Sequence, residues 1–160
     1  MQEEKVENQV IDELVPKSKI LACPQINPNL VGNITSISEN KASMSFMISN
    51  EFITDSLGLA HSGFIYSAAA YLAQVAINNA NTCILSSKSS FFTPCKVGEE
   101  LFFEASAKFD NAKKREVFVE AFTREIKVFE AHFYILVTDE HILKMQQSEL
   151  SKYQNKKSSK

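Results

Sequence analysis

The order of segments along these 160 residues predicts an α+β fold, one antiparallel sheet curled around one long central helix. Three observations carry the expectation. Two alternating segments come first. A stretch that is apolar on nearly every face follows. Alternating segments with short polar links, about four in number, then complete the chain.

The first strands are expected over residues 30–37 and 42–48, joined by the polar link Ser38-Glu39-Asn40-Lys41. In the second, Met44, Phe46 and Ile48 alternate with Ser43, Ser45 and Met47, the period of a half-buried strand. The helix is expected over 64–79. Its alanines (68, 69, 70, 73 and 76) keep it slim, and a helix hydrophobic all round is usually buried all round. The later strands are expected over 82–93, 101–109, 115–125 and 129–137, with a turn at 111–114. Long successive strands with short links mean an antiparallel meander.

Outside this body, Val6, Val10, Ile11, Leu14 and Val15 share one helical face. Residues 1–16 are expected to form an amphipathic helix or arm that packs on the domain or a partner. Its Glu-rich polar face would be repelled by an anionic membrane. Residues 17–142 form the main domain, and 143–160 read as a polar tail expected to be disordered.

Composition limits the function. Hydrophobic residues make up 44% of the chain, enough for one core, and with twelve Phe and no Trp the bulky packing falls to Phe. A net charge of −2 argues against a general nucleic-acid surface. No apolar run approaches the roughly 18 residues of a membrane span. The acidic start has no signal-peptide pattern, so the cytoplasm is the expected location. Cys23, Cys83 and Cys95 show neither metal-ligand nor disulfide spacing and read as reduced thiols; no metal site is expected.

The chemistry concentrates at His61-Ser62-Gly63, where a turn-prone segment meets the helix. Unpaired N–H groups at a helix start offer a site for a carbonyl or an anion. The helix that follows carries no Asp, Glu, Lys, Arg or His before Lys88. A binding end with no acid or base suggests recognition without obvious catalysis.

Two stretches, Asp55-Ser56-Leu57-Gly58-Leu59-Ala60-His61-Ser62-Gly63 and Phe91-Phe92-Thr93-Pro94-Cys95-Lys96-Val97-Gly98, stand in register on either side of this helix. Together with the element order, over roughly residues 20–140, they resemble the hotdog fold and, more closely, its small acyl-CoA thioesterase branch. The resemblance implies a homodimer, or a dimer of dimers, formed by joining sheets. It implies an acyl-thioester between subunits, carried by coenzyme A or an acyl-carrier protein, with no further cofactor. The carbonyl would lie near the helix start, polarised by the helix dipole and the Gly63 N–H. The pantetheine arm would run along about residues 86–92.

The departures are informative. In that branch a catalytic acid stands nine residues after the motif His, and here that position is Ala70. A methyl group cannot activate water or attack a thioester. The middle Gly of the motif is Ser62, and the Ser or Thr that some members place in the next strand corresponds to about Ile84. Asp55 is the best candidate for a relocated acid, ahead of Glu51, although capping the turn before Gly58 is the favoured role for it.

The expected ligand contacts are His61, Ser62, Gly63, Phe64, Ser67, Ala70, Gln74, Lys88, Ser90, Phe91 and Phe92. Ser67 and Gln74 share the helical face of Ala70 and can hydrogen-bond, but neither is a general base. Each has a structural alternative. His61 reads first as a brace for the loop. Gln74 needs a partner that a backbone carbonyl or a facing subunit could supply. Lys88 could meet a phosphate or be solvated surface. One of Phe91 and Phe92 is expected in the core and the other at a tunnel or dimer seam.

The reading that follows is an acyl-CoA or acyl-carrier binder acting as a sensor or scaffold. The chain before Pro16 is too short for a DNA-binding helix-turn-helix, so regulation would need a protein partner. The alternatives are an active thioesterase using Asp55 and an interaction module with a vestigial pocket. A dehydratase fits less well, because its His works with a nearby acid that this helix lacks.

Overall fold

The computed structural model describes residues 14–108 and 111–154. Its centre is α2, Ser62–Ile77, sixteen residues and about 24 Å long. Six strands form one antiparallel sheet: β1 Asn33–Ser38, β2 Lys41–Met47, β3 Thr82–Phe91, β4 Glu100–Ala107, β5 Lys114–Thr123 and β6 Ile126–Val137. Their spatial order is β1-β2-β4-β5-β6-β3, and α2 touches all six.

Period-2 patterning decides which face meets the helix. In β4, Leu101, Phe103, Ala105 and Ala107 are buried while their neighbours are exposed. Val117, Val119 and Ala121 of β5 and Phe129, Ala131, Phe133 and Ile135 of β6 continue the same inner face. Against it α2 sets Ile65, Ala68, Ala69, Leu72, Ala73, Val75 and Ala76. The alanines let backbone and sheet approach closely. The β5–β6 hairpin turns through Arg124 and Glu125, both left-handed (φ 46° and 68°), as a two-residue primed turn requires.

Three expectations need correction. The strand expected from residue 30 begins at Asn33, because Pro28–Val31 forms the short helix α1. Asn27 caps it by accepting from the Asn29 N–H, and Pro28 opens it. The polar tail carries an eight-residue helix, α3, Gln147–Gln154. The central helix is not buried on all sides, since Ser67 is exposed and Ala70 and Gln74 are half-buried. The helix expected in the first arm falls mostly on residues 1–13, outside those described. At its end Val15 is extended and donates its N–H to the Ile34 carbonyl, 3.1 Å away, along the β1 edge.

Candidate functional site

The two motif stretches are joined physically. Ala60 N–H donates to the Cys95 carbonyl at 2.8 Å, and Val97 N–H to the Gly58 carbonyl at 2.9 Å. Gly58 is left-handed (φ +82°), and a Cβ there would stand 2.7 Å from Val97 Cγ1. Both the turn and the close approach therefore require glycine. Next to it, the Asp55 carboxylate accepts from the N–H groups of Leu57 (3.0 Å) and Leu59 (3.2 Å). These bonds hold the 55–59 turn, which is the capping role. Asp55 is exposed.

His61 is the N-cap of α2. Its Nδ1 accepts from Gly63 N–H at 2.9 Å, so the ring proton sits on Nε2. A Cβ on Gly63 would come within 2.9 Å of that nitrogen, so the absent side chain is what lets the cap close. The Gly63 N–H is thus engaged, and the Phe64 N–H is shared with the His61 carbonyl at 3.2 Å. Among the described residues the Ser62 N–H has no acceptor. It, rather than Gly63, is the donor left at the helix start.

From there a stripe of small residues runs up α2: Gly63, Ser67, Ala70, then Gln74. The stripe changes character halfway. Gln74 donates through Nε2 to Thr82 Oγ1 at 3.0 Å and accepts the Cys23 thiol on Oε1 at 3.4 Å. Its partners belong to its own chain. Asn78, left-handed at the helix end, accepts from Leu21 N–H (2.8 Å) and donates to the Lys19 carbonyl (2.9 Å). Residues 19–23 therefore cover the second half of the stripe, while Gly63 and Ser67 are exposed and Ala70 is half-buried.

Beside the first half lies β3. A register shift between Ile84 and Ser86 changes its phase. Beyond that shift Ser87, Ser89 and Phe91 pair with the inward residues Phe133, Ala131 and Phe129. Tyr66 of α2 bonds its hydroxyl to Ser87 Oγ at 2.5 Å and closes the gap between helix and strand. Lys88 and Ser90 pair with His132 and Glu130 and face the opposite side of the sheet, away from α2. Phe91 packs edge-on to Phe129 at 5.0 Å, whereas Phe92 meets Lys127 Nζ at 5.6 Å from its ring. Phe64 packs on Phe52, with ring centroids 4.8 Å apart.

The structure thus brings together His61, Ser62, Gly63, Phe64, Ser67, Ala70 and Phe91. It separates Lys88, Ser90 and Phe92 from them and ties Gln74 and Asp55 into the scaffold. Sequence reasoning missed Tyr66 and Ser87. The resemblance ran the ligand along about residues 86–92 without choosing a face, and the register shift between Ile84 and Ser86 that decides the face leaves no signal in this sequence. Among the described residues no group of three His, Cys, Asp or Glu is placed to hold a metal. Among the described residues no helix is long and apolar enough to cross a membrane.

A curved antiparallel sheet on one central helix, with a motif turn at the helix start, defines the class. The comparisons agree. The chain is 40% identical to Cj0977, a sigma28-regulated virulence protein from Campylobacter jejuni, over 80% of this chain and 91% of that one, with a TM-score of 0.79. It is 30% identical to the uncharacterized protein PH1136 from Pyrococcus horikoshii, over 82% and 98%, with a TM-score of 0.75. The chain belongs to the hotdog-fold family that these proteins share. A hypothetical thioesterase from Streptococcus pneumoniae, solved with coenzyme A, shares the fold at 15% identity, covering 68% of this chain and 86% of that one (TM-score 0.62). Among curated proteins, the methylthioribose-1-phosphate isomerase of Aquifex aeolicus is 37% identical over 109 residues, 68% of this chain. The chain spans 24% of that protein's length. No protein-family model matches the chain.

Proposed function

We propose that this chain is an acyl-thioester-binding hotdog protein, taking acyl-CoA or an acylated carrier protein, that acts as a sensor or scaffold rather than a hydrolase. The observation that carries the reading is Ala70. It lies on the first half of the α2 stripe, where the thioesterase branch has its acid, and no ionisable side chain stands on that stripe. Asp55, the candidate to replace it, accepts the Leu57 and Leu59 N–H groups on Oδ1, which supports a turn-holding role for it.

The thioester carbonyl would meet the Ser62 N–H at the positive end of α2. The rest of the ligand would lie along Ser67 and Ala70, walled by Tyr66 and Phe91. Phe91 is 47% exposed in one chain, which supports completion of the site by a second copy. β3 is an edge strand of ten residues, so its free edge suits pairing with the β3 of a partner. The fold relative solved with coenzyme A supports the ligand class. The Aquifex protein supports action beside another protein, because a module like this one forms part of a longer polypeptide there. The isomerase activity in its name is not assigned to this chain.

Thermal-shift titration with acyl-CoAs of graded length tests the proposal. At a hundredfold excess over Kd, a ligand of the native state adds about 2.7 kcal/mol, or about 5–10 °C in Tm. Gly63→Val forces a branched side chain against the His61 cap and should abolish the shift. Ala70→Asp should introduce weak thioesterase activity. No stabilisation by any acyl-CoA would leave a vestigial pocket. Rapid hydrolysis by the wild type that disappears in Asp55→Ala would show instead that the acid has moved to that residue.

A further inference from the structure

A second cavity lies on the other flank of α2, between that helix, α1 and residues 14–26. It holds about 140 Å³, and Val15, Ile20, Ile26 and Ile34 form most of its wall. An apolar cavity of about 150 Å³ is enough for one benzene ring. Four residues with polar side chains line it: Lys17 and Asn33, both exposed, and Cys23 and Tyr71 deeper in.

The two deeper ones are not equivalent. The Cys23 thiol already donates to Gln74 Oε1. Tyr71 is only 6% exposed as a residue, but its hydroxyl makes no hydrogen bond among the described residues and is not sealed off from the cavity space. Burial, with the Cys23 sulfur adding a smaller push, raises the phenol above its ordinary pKa, so it stays protonated and able to donate. A Phe would fill the same space. The ring packs without needing the oxygen, so the oxygen is left for whatever enters the cavity. Among the described residues no carboxylate lines the cavity, and the one cation, Lys17, is exposed.

We infer that this cavity is a binding site for a small neutral molecule, an apolar body of about one ring with a single acceptor oxygen that takes a hydrogen bond from Tyr71. A small ketone is the simplest example. The site is separate from the proposed acyl-thioester site, which lies on the β3 side of α2.

Cyclohexanone and benzene, titrated into the full chain and followed by NMR at the isoleucine methyls, test it. Cyclohexanone should give saturable shifts at Ile20, Ile26 and Ile34 and should bind more tightly than benzene. Tyr71→Phe, which removes an unbonded oxygen and should keep the wild-type Tm, should weaken cyclohexanone by about two- to tenfold and leave benzene unchanged. Ile26→Phe, which fills the space, should abolish both. Equal affinity for cyclohexanone in Tyr71→Phe and wild type would overturn the hydrogen-bond assignment. Absence of saturable shifts with either compound would overturn the site and mean that the chain itself fills the cavity.

Discussion

The two halves of the α2 stripe have almost the same shape and opposite fates. In the second half, Gln74 and Asn78 meet residues 19–23 and Thr82, and their side-chain hydrogen bonds close within one chain. In the first half, Gly63 and Ser67 are exposed, Ala70 is half-buried, and none of the three has a side-chain hydrogen bond among the described residues. Polar groups on a buried helix must be paired, and here the pairing identifies the half that is scaffold. What remains unpaired, the Ser62 N–H and the Ser67 hydroxyl among the described residues, marks the half free to meet a ligand or a partner subunit.

The largest effect expected from breaking this division is at Asn78. Asn78→Ala places a Cβ residue less suited to the left-handed cap at φ 51° and removes the bonds to Leu21 and Lys19. We expect a loss of about 2 kcal/mol, seen as a Tm about 4–8 °C lower, with acyl-CoA affinity retained. A ligand defect without a Tm change would reverse the assignment of this half. Gln74→Ala comes next, at about 1–2 kcal/mol, because it strands Thr82 Oγ1 and the Cys23 thiol. It too should leave ligand affinity alone. A severalfold weaker acyl-CoA titration in this variant would move Gln74 into the site.

Much of the frame was legible in the sequence, for physical reasons. Strict alternation in β2, β4, β5 and β6 reports a sheet with one face on a core. The alanine-rich run from Ala68 to Ala76 reports a helix that must be wrapped. Gly58 and Gly63 signal backbone that cannot carry a side chain. The illegible parts depend on long-range closure or on local phase. Cys23 meets Gln74 across 51 residues of chain, from a left-handed conformation (φ 50°) that nothing in its residue type announces. The shift between Ile84 and Ser86 sends Lys88 and Ser90 to the far face, although their alternation looks regular. The Asn27-Pro28 pair did carry a helix-start signal for α1, but the apolar run after it read as a strand. Position 70 was legible as a departure, and the loop role of Asp55 agrees with what its place before Gly58 suggested.

The smallest stability effect is expected at Ser67, and it separates the two halves most cleanly. Ser67 is exposed in one chain and makes no hydrogen bond among the described residues, so Ser67→Ala should change stability by less than about 0.5 kcal/mol. Scaffold residues of the covered half cannot behave this way, because each has partners to lose. A bulky replacement changes the sign of the test. Ser67→Trp has open space around it in the single chain and should leave the fold intact. In the complete site it would stand between α2 and β3 and block whatever lies there. Loss of the acyl-CoA thermal shift, with the Tm of the free protein unchanged, places the ligand on the first half. A simultaneous fall in dimer content, measured by sedimentation, would place the partner subunit there as well. An unaltered titration with an unaltered assembly would mean that neither ligand nor partner uses this surface, and the contrast between the two halves would then describe packing alone.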